Sequence, residues 1–497
     1  MQQRPNRPRP NAPRRPVGYD ARPVRNGARP AGTRPAGTRP SQRRPMTPRE
    51  YEMLQRRRRQ QNLKYLAILG AFAVVLIVAV ALILKPGPTR DDSVQTAAMV
   101  TAAPEAVPTT QAAGVNLDDP RDENASVIER SVETPIPTVT AVPTPRPGGL
   151  RSARMRVVGD VMVCESQLKA YKDTKYDFHP EFDYIKDALS NADYTMANME
   201  GTVGKYNKSP FSGYPQFNCP QTILTALKDS GVDFLTLANN HMLDRFFDGL
   251  KNTVSWVEKA GFDFVGAYRT SEERKTPKVY EVNGIKIGFV AYTHSTNSIE
   301  RLAKGLDPGA TEYGVPYIQK ADIAGDIQRL RDAGAEVVIA FPHWGEEYVR
   351  DPGSSQMKYA KKLAMAGADI ILGSHSHMVQ PLMFKNITDS TGRNHDVFVI
   401  FSLGNFLSDH ILQYTDCGVI LEFTISENSD GTFSCGDVGY IPTYCWQPTE
   451  GDVRVLPSGK YLRQGPSGMT DEAHERLVQS YQEITEIIGG DYPVLQG

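Results

Sequence analysis

Cysteine is scarce. The 497 residues contain five, Cys164, Cys219, Cys417, Cys435 and Cys445, and none of them stands in a CxxC pair. That excludes a disulfide scaffold, and the odd count leaves at least one thiol unpaired. An oxidising compartment permits a single bridge, for which Cys435 to Cys445 is the expected pairing. A net charge of one sign is also missing, the total being −1 at pH 7. This total hides two opposite parts, because Met1 to Lys64 carries eighteen Lys and Arg against Asp20, Glu50 and Glu52, a net of +15, which leaves −16 for the rest. An acidic body argues against nucleic acid as its ligand, while a basic arm suits an anionic surface, for which membrane lipid is the expected partner.

The basic segment, residues 1–64, is rich in Arg, Pro and Gly, repeats RPAGT at Arg29 and Arg34, and ends in four arginines from Arg56 to Arg59. It has too little apolar surface to fold and reads either as a solvated tail or as a lipid- or partner-binding arm. Tyr65 to Leu84 are twenty residues without a charge. At about 1.5 Å per residue such a helix spans about 30 Å, the hydrocarbon thickness, so residues 65–84 read as a transmembrane helix. A buried core helix fits poorly, since the run has no polar face and is bounded by Lys64 and Lys85. The cationic flank places the N-terminus in the cytoplasm and the C-terminal body outside the cell membrane. Residues 85–150, rich in Pro, Thr, Ala and Val, read as a flexible linker or stalk with ends about 45 Å apart.

From Arg151 onward short β-rich runs alternate with amphipathic windows. Helices are expected at Phe182 to Asn191, Gln221 to Asp229, Phe246 to Ala260, Ile318 to Ala333, Gln356 to Ala366 and, as a C-terminal tail over 470–497, Thr470 to Ile488. A hairpin is expected at Asn283-Gly284. Strand-helix alternation builds an α/β core with parallel pairing. The later runs VFVIFSLGNF, GVILEFTI and TFSCGDVGYI have no helices between them and are expected to pair antiparallel, giving a two-sheet sandwich flanked by helices.

Metal-competent side chains recur at the C-terminal ends of the predicted strands: Asp160, Glu200, Asn240 with His241, His343, and His375 with His377. Ligand sites in open α/β sheets collect at those ends, where loops converge. Singly, Asp160 reads also as a turn residue, Glu200 and Asn240 as loop caps, and His343 as a packed histidine. The HxH pair resists such a reading, and five separate strand ends favour a common crevice. Imidazole, carboxylate and carboxamide without thiolate suit Mn, Fe or Zn. Two such ions about 3.5–4 Å apart clamp an in-line displacement at phosphorus and need one bridging carboxylate, for which Glu200 is placed. Glu346, Glu347 and Tyr348 read equally as crevice lining or as a solvated loop. His294 reads as a supporting or structural histidine and Asn405 as a loop former. His179, His395, His410 and His474 receive no role.

GDVM at Gly159, NME at Asn198, NNHMLD at Asn239, HWGEEY at His343, GSHSH at Gly373 and FSLGNF at Phe401 stand in the order seen in the CapA/PgsA family, which this sequence resembles. That family is related to calcineurin-like metallophosphoesterases. The resemblance implies a four-layer α-β-β-α metallophosphoesterase-like fold over 151–469 and an extracytoplasmic role in poly-γ-glutamate capsule synthesis, with other membrane subunits as partners. It also implies that Asp160, Glu200 and His377 hold one divalent ion and Glu200, Asn240, His343 and His375 a second. His241 then stands as the general acid and Asp244 orients its ring. The chain departs from the wider phosphoesterase pattern at Met162, where a ligand histidine is usual, and at Glu200, where an Asp is usual. Three functions follow as alternatives. One is a metal-dependent hydrolase serving an anionic capsule polymer; the second is a non-catalytic subunit binding metal or polymer. The third is a phosphoesterase on an unrelated envelope substrate.

Overall fold

The computed structural model describes residues 149–204, 210–301, 308–489 and 492–497. The expected basic segment, transmembrane helix and nearly all of the linker lie outside the described residues. Among the described residues no helix is long and apolar enough to cross a membrane.

The chain opens with β1 (Ser152–Val161), β2 (Tyr194–Met199), β3 (Phe234–Thr236) and β4 (Asp263–Val265), each parallel to the one before. A second sheet follows, built from β5 (Val279–Val282), β6 (Ile285–Thr293), β7 (Val337–His343), β8 (Ile370–Leu372), β9 (Leu382–Thr388) and β10 (Asn394–Ile400). Its order is β5-β6-β7-β8-β10-β9, with β6, β7, β8 and β10 parallel. The chain then returns to the first sheet with β11 (Asn405–Leu407), β12 (Cys417–Glu427), β13 (Phe433–Trp446) and β14 (Arg454–Pro457). The larger sheet runs β14-β13-β12-β1-β2-β3-β4, and β11 pairs parallel with the last residues of β1, where β12 no longer reaches.

Period-two alternation decides the layers. In the smaller sheet Ile287, Phe289, Val337, Ile339, Phe341, Phe398 and Ile400 join the core between the sheets. Their neighbours Val290, Tyr292, Val338, Ala340, Val397 and Val399 pack outward with Ile323, Ile327, Leu330 and Leu363 of two helices, Ile323–Asp332 and Ser354–Met365. Between the sheets, the ring of Phe234 on β3 lies 4.4 Å from Phe289 and 5.7 Å from Phe341, centroid to centroid. The outer face of the larger sheet turns Thr195 and Arg156 toward the carbonyls of Leu189 and Ala188 on a short helix. Burial of this scale, at roughly 1.5–3 kcal/mol per large apolar side chain, is what holds the strand ends in fixed relation.

Four sequence expectations are corrected. β10 is parallel to β8, because the β9–β10 hairpin rather than a helix reverses the chain before β10 inserts beside β8. The single helix expected from Phe182 to Asn191 is two short turns, His179–Phe182 and Lys186–Ser190, and the helix expected from Ile318 begins at Ile323. Asp322 caps that helix through the Gly325 amide, while Ile318 bonds back to Thr293. The Cys435–Cys445 bridge does not form. All five cysteines are free, and ten residues along one strand, at about 3.3 Å each, separate these two far beyond disulfide reach.

Candidate metal centre

Five strand ends converge on one crevice between the sheets. Asp160 closes β1, Glu200 follows β2, and Asn240 and His241 follow β3, while His343 closes β7 and the His375–His377 segment follows β8. Gly159 is demanded by close packing, since a Cβ there would lie 1.9 Å from the Gly404 carbonyl oxygen. The GSHSH turn is strained, with φ of 96° at His375 and 58° at His377. Left-handed backbone at such residues costs about 1–3 kcal/mol each. It is held by a backbone bond from the Tyr348 amide to the Ser376 carbonyl (2.7 Å) and one from the His375 amide to Asp160 Oδ2 (3.3 Å).

The expected residues are brought together as two groups that share Glu200. Ligand atoms of Glu200, His343 and His375 lie within 4.8 Å of one another, and so do those of Asp160, Glu200 and His377. Asn240 Oδ1 stands 2.8 Å from His343 Nε2, and His375 Nδ1 stands 3.1 Å from it, so three donor atoms crowd one point. In the other group His377 Nδ1 is 3.4 Å from Asp160 Oδ2, and His377 Nε2 is 4.0 Å from Glu200 Oε1. His241 belongs to neither group; its Nδ1 lies 2.7 Å from Asp244 Oδ2, which also accepts the Phe217 amide at 2.7 Å.

The electrostatics ask for a cation. Glu200 is fully buried, and neither of its carboxylate oxygens has a hydrogen-bond partner among the described residues. Burial and the neighbouring Asp160 charge push its carboxyl well above the usual range. Burial also drives His343 and His375 well below the ordinary imidazole value, helped by the surrounding imidazoles. They are therefore neutral, the form that ligates metal. Burial opposes protonation of His377 too, but the Glu200 and Asp160 carboxylates overcome it and raise the ring to about 10. A buried carboxylate without hydrogen-bond partners among the described residues, flanked by neutral imidazoles and a carboxamide oxygen, fits a divalent ion: its charge offsets the desolvation of Glu200, and each lone pair finds a partner.

Other residues of the crevice were legible only in part. Asn198, within the NME run, donates from Nδ2 to Asp160 Oδ1 (2.7 Å), and Ser374 Oγ lies 2.8 Å from His343 Nδ1. His294 lies beside His375, the rings tilted 48° with centroids 4.2 Å apart, a supporting position. Met162 points into the apolar core rather than the crevice, being 2% exposed, so the Asp160 group has three donors where the Asn240 group has four.

The family model for bacterial capsule synthesis protein PGA_cap matches residues 154–410, which begin in β1 and end three residues past β11. This chain belongs to the PGA_cap family. Every residue of the two ligand groups lies inside the span that PGA_cap covers. Among similar proteins, the PGA biosynthesis protein CapA of Bacillus subtilis (strain 168) is 28% identical over 283 residues, 56% of this chain and 68% of that protein. The capsule biosynthesis protein CapA of Bacillus anthracis is 28% identical over 284 residues, 55% of this chain and 64% of that one. The PGA_cap chain thus spans about two thirds of these relatives' lengths. Among solved structures, the calcineurin-like phosphoesterase YfkN from Bacillus subtilis overlaps 68% of this chain and 98% of its own, at 14% identity and a TM-score of 0.33. An overlap that loose carries neither a site nor an activity across.

Proposed function

We propose that this PGA_cap protein is anchored in the cell membrane by residues 65–84, with its folded body outside the cytoplasm. There it serves synthesis or export of an anionic capsule polymer of the poly-γ-glutamate type as a metal-dependent hydrolase of phosphoester-type bonds. The reading is supported above all by Glu200, a buried carboxylate with both oxygens unpartnered among the described residues and shared by two ligand groups. The names of the Bacillus relatives, PGA biosynthesis and capsule biosynthesis, support the process.

In this reading Asn240, His343, His375 and Glu200 hold one divalent ion, of the Mn, Fe or Zn class, and Asp160, Glu200 and His377 a second. Bound there, such ions polarise a phosphoryl oxygen and lower the pKa of a coordinated water. The chain's own residues supply the rest. Asp244 accepts a hydrogen bond from His241 Nδ1–H, which orients the ring. In the doubly protonated imidazolium the Nε2–H then faces the departing oxygen and gives it its proton, leaving the neutral Nδ1–H ring. Asn198 and the His375 amide hold Asp160 in register, and the strained GSHSH turn presents both imidazoles without a search through rotamers. The body's net acidity repels a polyanion at long range, so contact with such a polymer runs through the cations in the crevice.

A second reading, a non-catalytic subunit that binds metal or polymer without turnover, is favoured by Met162, whose burial in the core leaves the Asp160 group with three donors. Metal analysis of the full-length protein, with hydrolysis of a generic phosphoester by wild type and His241→Ala, separates the two. Bound metal with activity that falls about 10²–10⁴-fold in His241→Ala supports the hydrolase. Bound metal with no turnover in either protein supports the subunit, and a metal-free, inactive wild type ends both. Topology is read independently: protease added to intact cells should cut the body but spare residues 1–64, and a protected body would reverse the proposed orientation.

A further inference from the structure

Asn405 reads from sequence as a loop former, but its side chain is fully buried and committed on every side. β11 is the short strand that pairs parallel with the tip of β1, in a register that sets Asn405 opposite Asp160. Its amide makes three contacts. Nδ2 lies 2.8 Å from the Thr415 carbonyl oxygen and 3.3 Å from His410 Nδ1, while Oδ1 lies 3.0 Å from His377 Nδ1.

The Thr415 carbonyl only accepts, so the group facing it must be the NH2, and this fixes which end of the amide is which. The Oδ1 end then faces His377, and since an amide oxygen only accepts, His377 Nδ1 must carry hydrogen. That leaves Nε2 as the nitrogen for a metal ion. The separation of 4.0 Å between Nε2 and Glu200 Oε1 can be subtended by two donors each about 2.0–2.2 Å from one ion. At the other end the second amide hydrogen points to His410 Nδ1, which therefore accepts and places that ring's hydrogen on Nε2. The His377 and His410 rings lie edge to face with centroids 5.4 Å apart, and Tyr348 stands 6.3 Å from His410.

We propose that Asn405 is the positioning residue that selects Nε2 of His377 as the ligand nitrogen of the Asp160 group, and that the same amide fixes His410 as its Nε2–H tautomer beside it. The inference rests on the metal reading for its purpose, though the amide geometry stands apart from it. Its importance is greatest at this group, because Met162 contributes no imidazole and His377 is the only histidine in it.

Two measurements on the full-length protein test the assignment. Cobalt(II) titration followed by visible absorption should show two binding events in wild type. In Asn405→Ala one of them should weaken by about 10–100-fold, as loss of a ligand's orienting partner does, with the other unchanged. Histidine ¹⁵N spectra of the wild type should show Nδ1–H at His377 with diamagnetic zinc bound, and Nε2–H at His410 with or without metal. Cobalt affinities equal in wild type and Asn405→Ala, or a proton on His377 Nε2 in the loaded protein, would overturn the inference. Should Asn405→Ala not fold, the nitrogen spectra of the wild type decide alone. Should wild type bind no metal, the functional reading fails, and His410 found as the Nδ1–H tautomer would still refute the amide assignment separately.

Discussion

Glu200 concentrates the electrostatics of the crevice in one side chain, because both ligand groups use it and nothing among the described residues satisfies it. Glu200→Gln should therefore act in two directions. It should abolish tight metal binding, and it should stabilise the metal-free protein by on the order of 1–3 kcal/mol by removing a buried carboxyl that no hydrogen bond satisfies. Metal analysis and denaturant unfolding in chelator read the two effects; loss of metal binding with lowered metal-free stability would show that Glu200 is structurally satisfied after all. Asp244→Asn is expected to keep metal content while slowing hydrolysis, since the carboxylate that receives His241 Nδ1 at 2.7 Å is replaced by a neutral amide free to turn the ring to its other tautomer. Steady-state kinetics beside metal analysis checks this.

Elements matter here as carriers of those residues to one place. β11 is only three residues long, yet it presents Asn405 and closes against Gly159 through the turn at Gly404. Gly159→Ala should cost more than the 1–3 kcal/mol or so typical of overpacking, because the new Cβ would meet a backbone oxygen at 1.9 Å rather than a movable side chain. A denaturant midpoint indistinguishable from wild type would contradict that packing. The C-terminal helix, Asp471–Ile488, reaches the same region: Arg476 pairs with Asp416 at 2.7 Å and with Glu483 at 2.9 Å, and Asp416 follows the Thr415 whose carbonyl orients Asn405. Arg476→Ala should destabilise the fold by roughly 1–3 kcal/mol by stranding a nearly buried Asp416, and it should loosen metal binding at the Asp160 group more than at the Asn240 group. Cobalt titration at a temperature where the variant remains folded reads the difference.

For the whole molecule, stability should depend on pH through Glu181, which belongs to neither ligand group. Burial lifts its carboxyl to about 8, with Asp452 adding to the rise while a hydrogen bond from Gln167 and the Arg454 charge oppose it. The folded state therefore holds a proton that the unfolded chain releases near its ordinary value of about 4.3. This contribution is complete below that value, declines as pH rises, and is gone above about 8. Between pH 5 and 8 the wild type should lose stability relative to Glu181→Gln by on the order of a few kcal/mol; parallel melting curves across that range would refute it. The sequence by itself determined which side chains stand at strand ends, since hydrophobic period and turn residues mark where each strand stops, and Asp160, Glu200, Asn240, His343, His375 and His377 are read from that local pattern. It could not determine strand order or direction in β9–β11, because a hairpin and a helical crossover both satisfy the same local apolar pattern and only long-range packing chooses between them. The same holds for Asn405, Asn198 and Ser374: an amide or hydroxyl takes its role from the atoms it faces, and tertiary structure alone brought Asp160 of the larger sheet against His377 of the smaller one, with Glu200 buried between them.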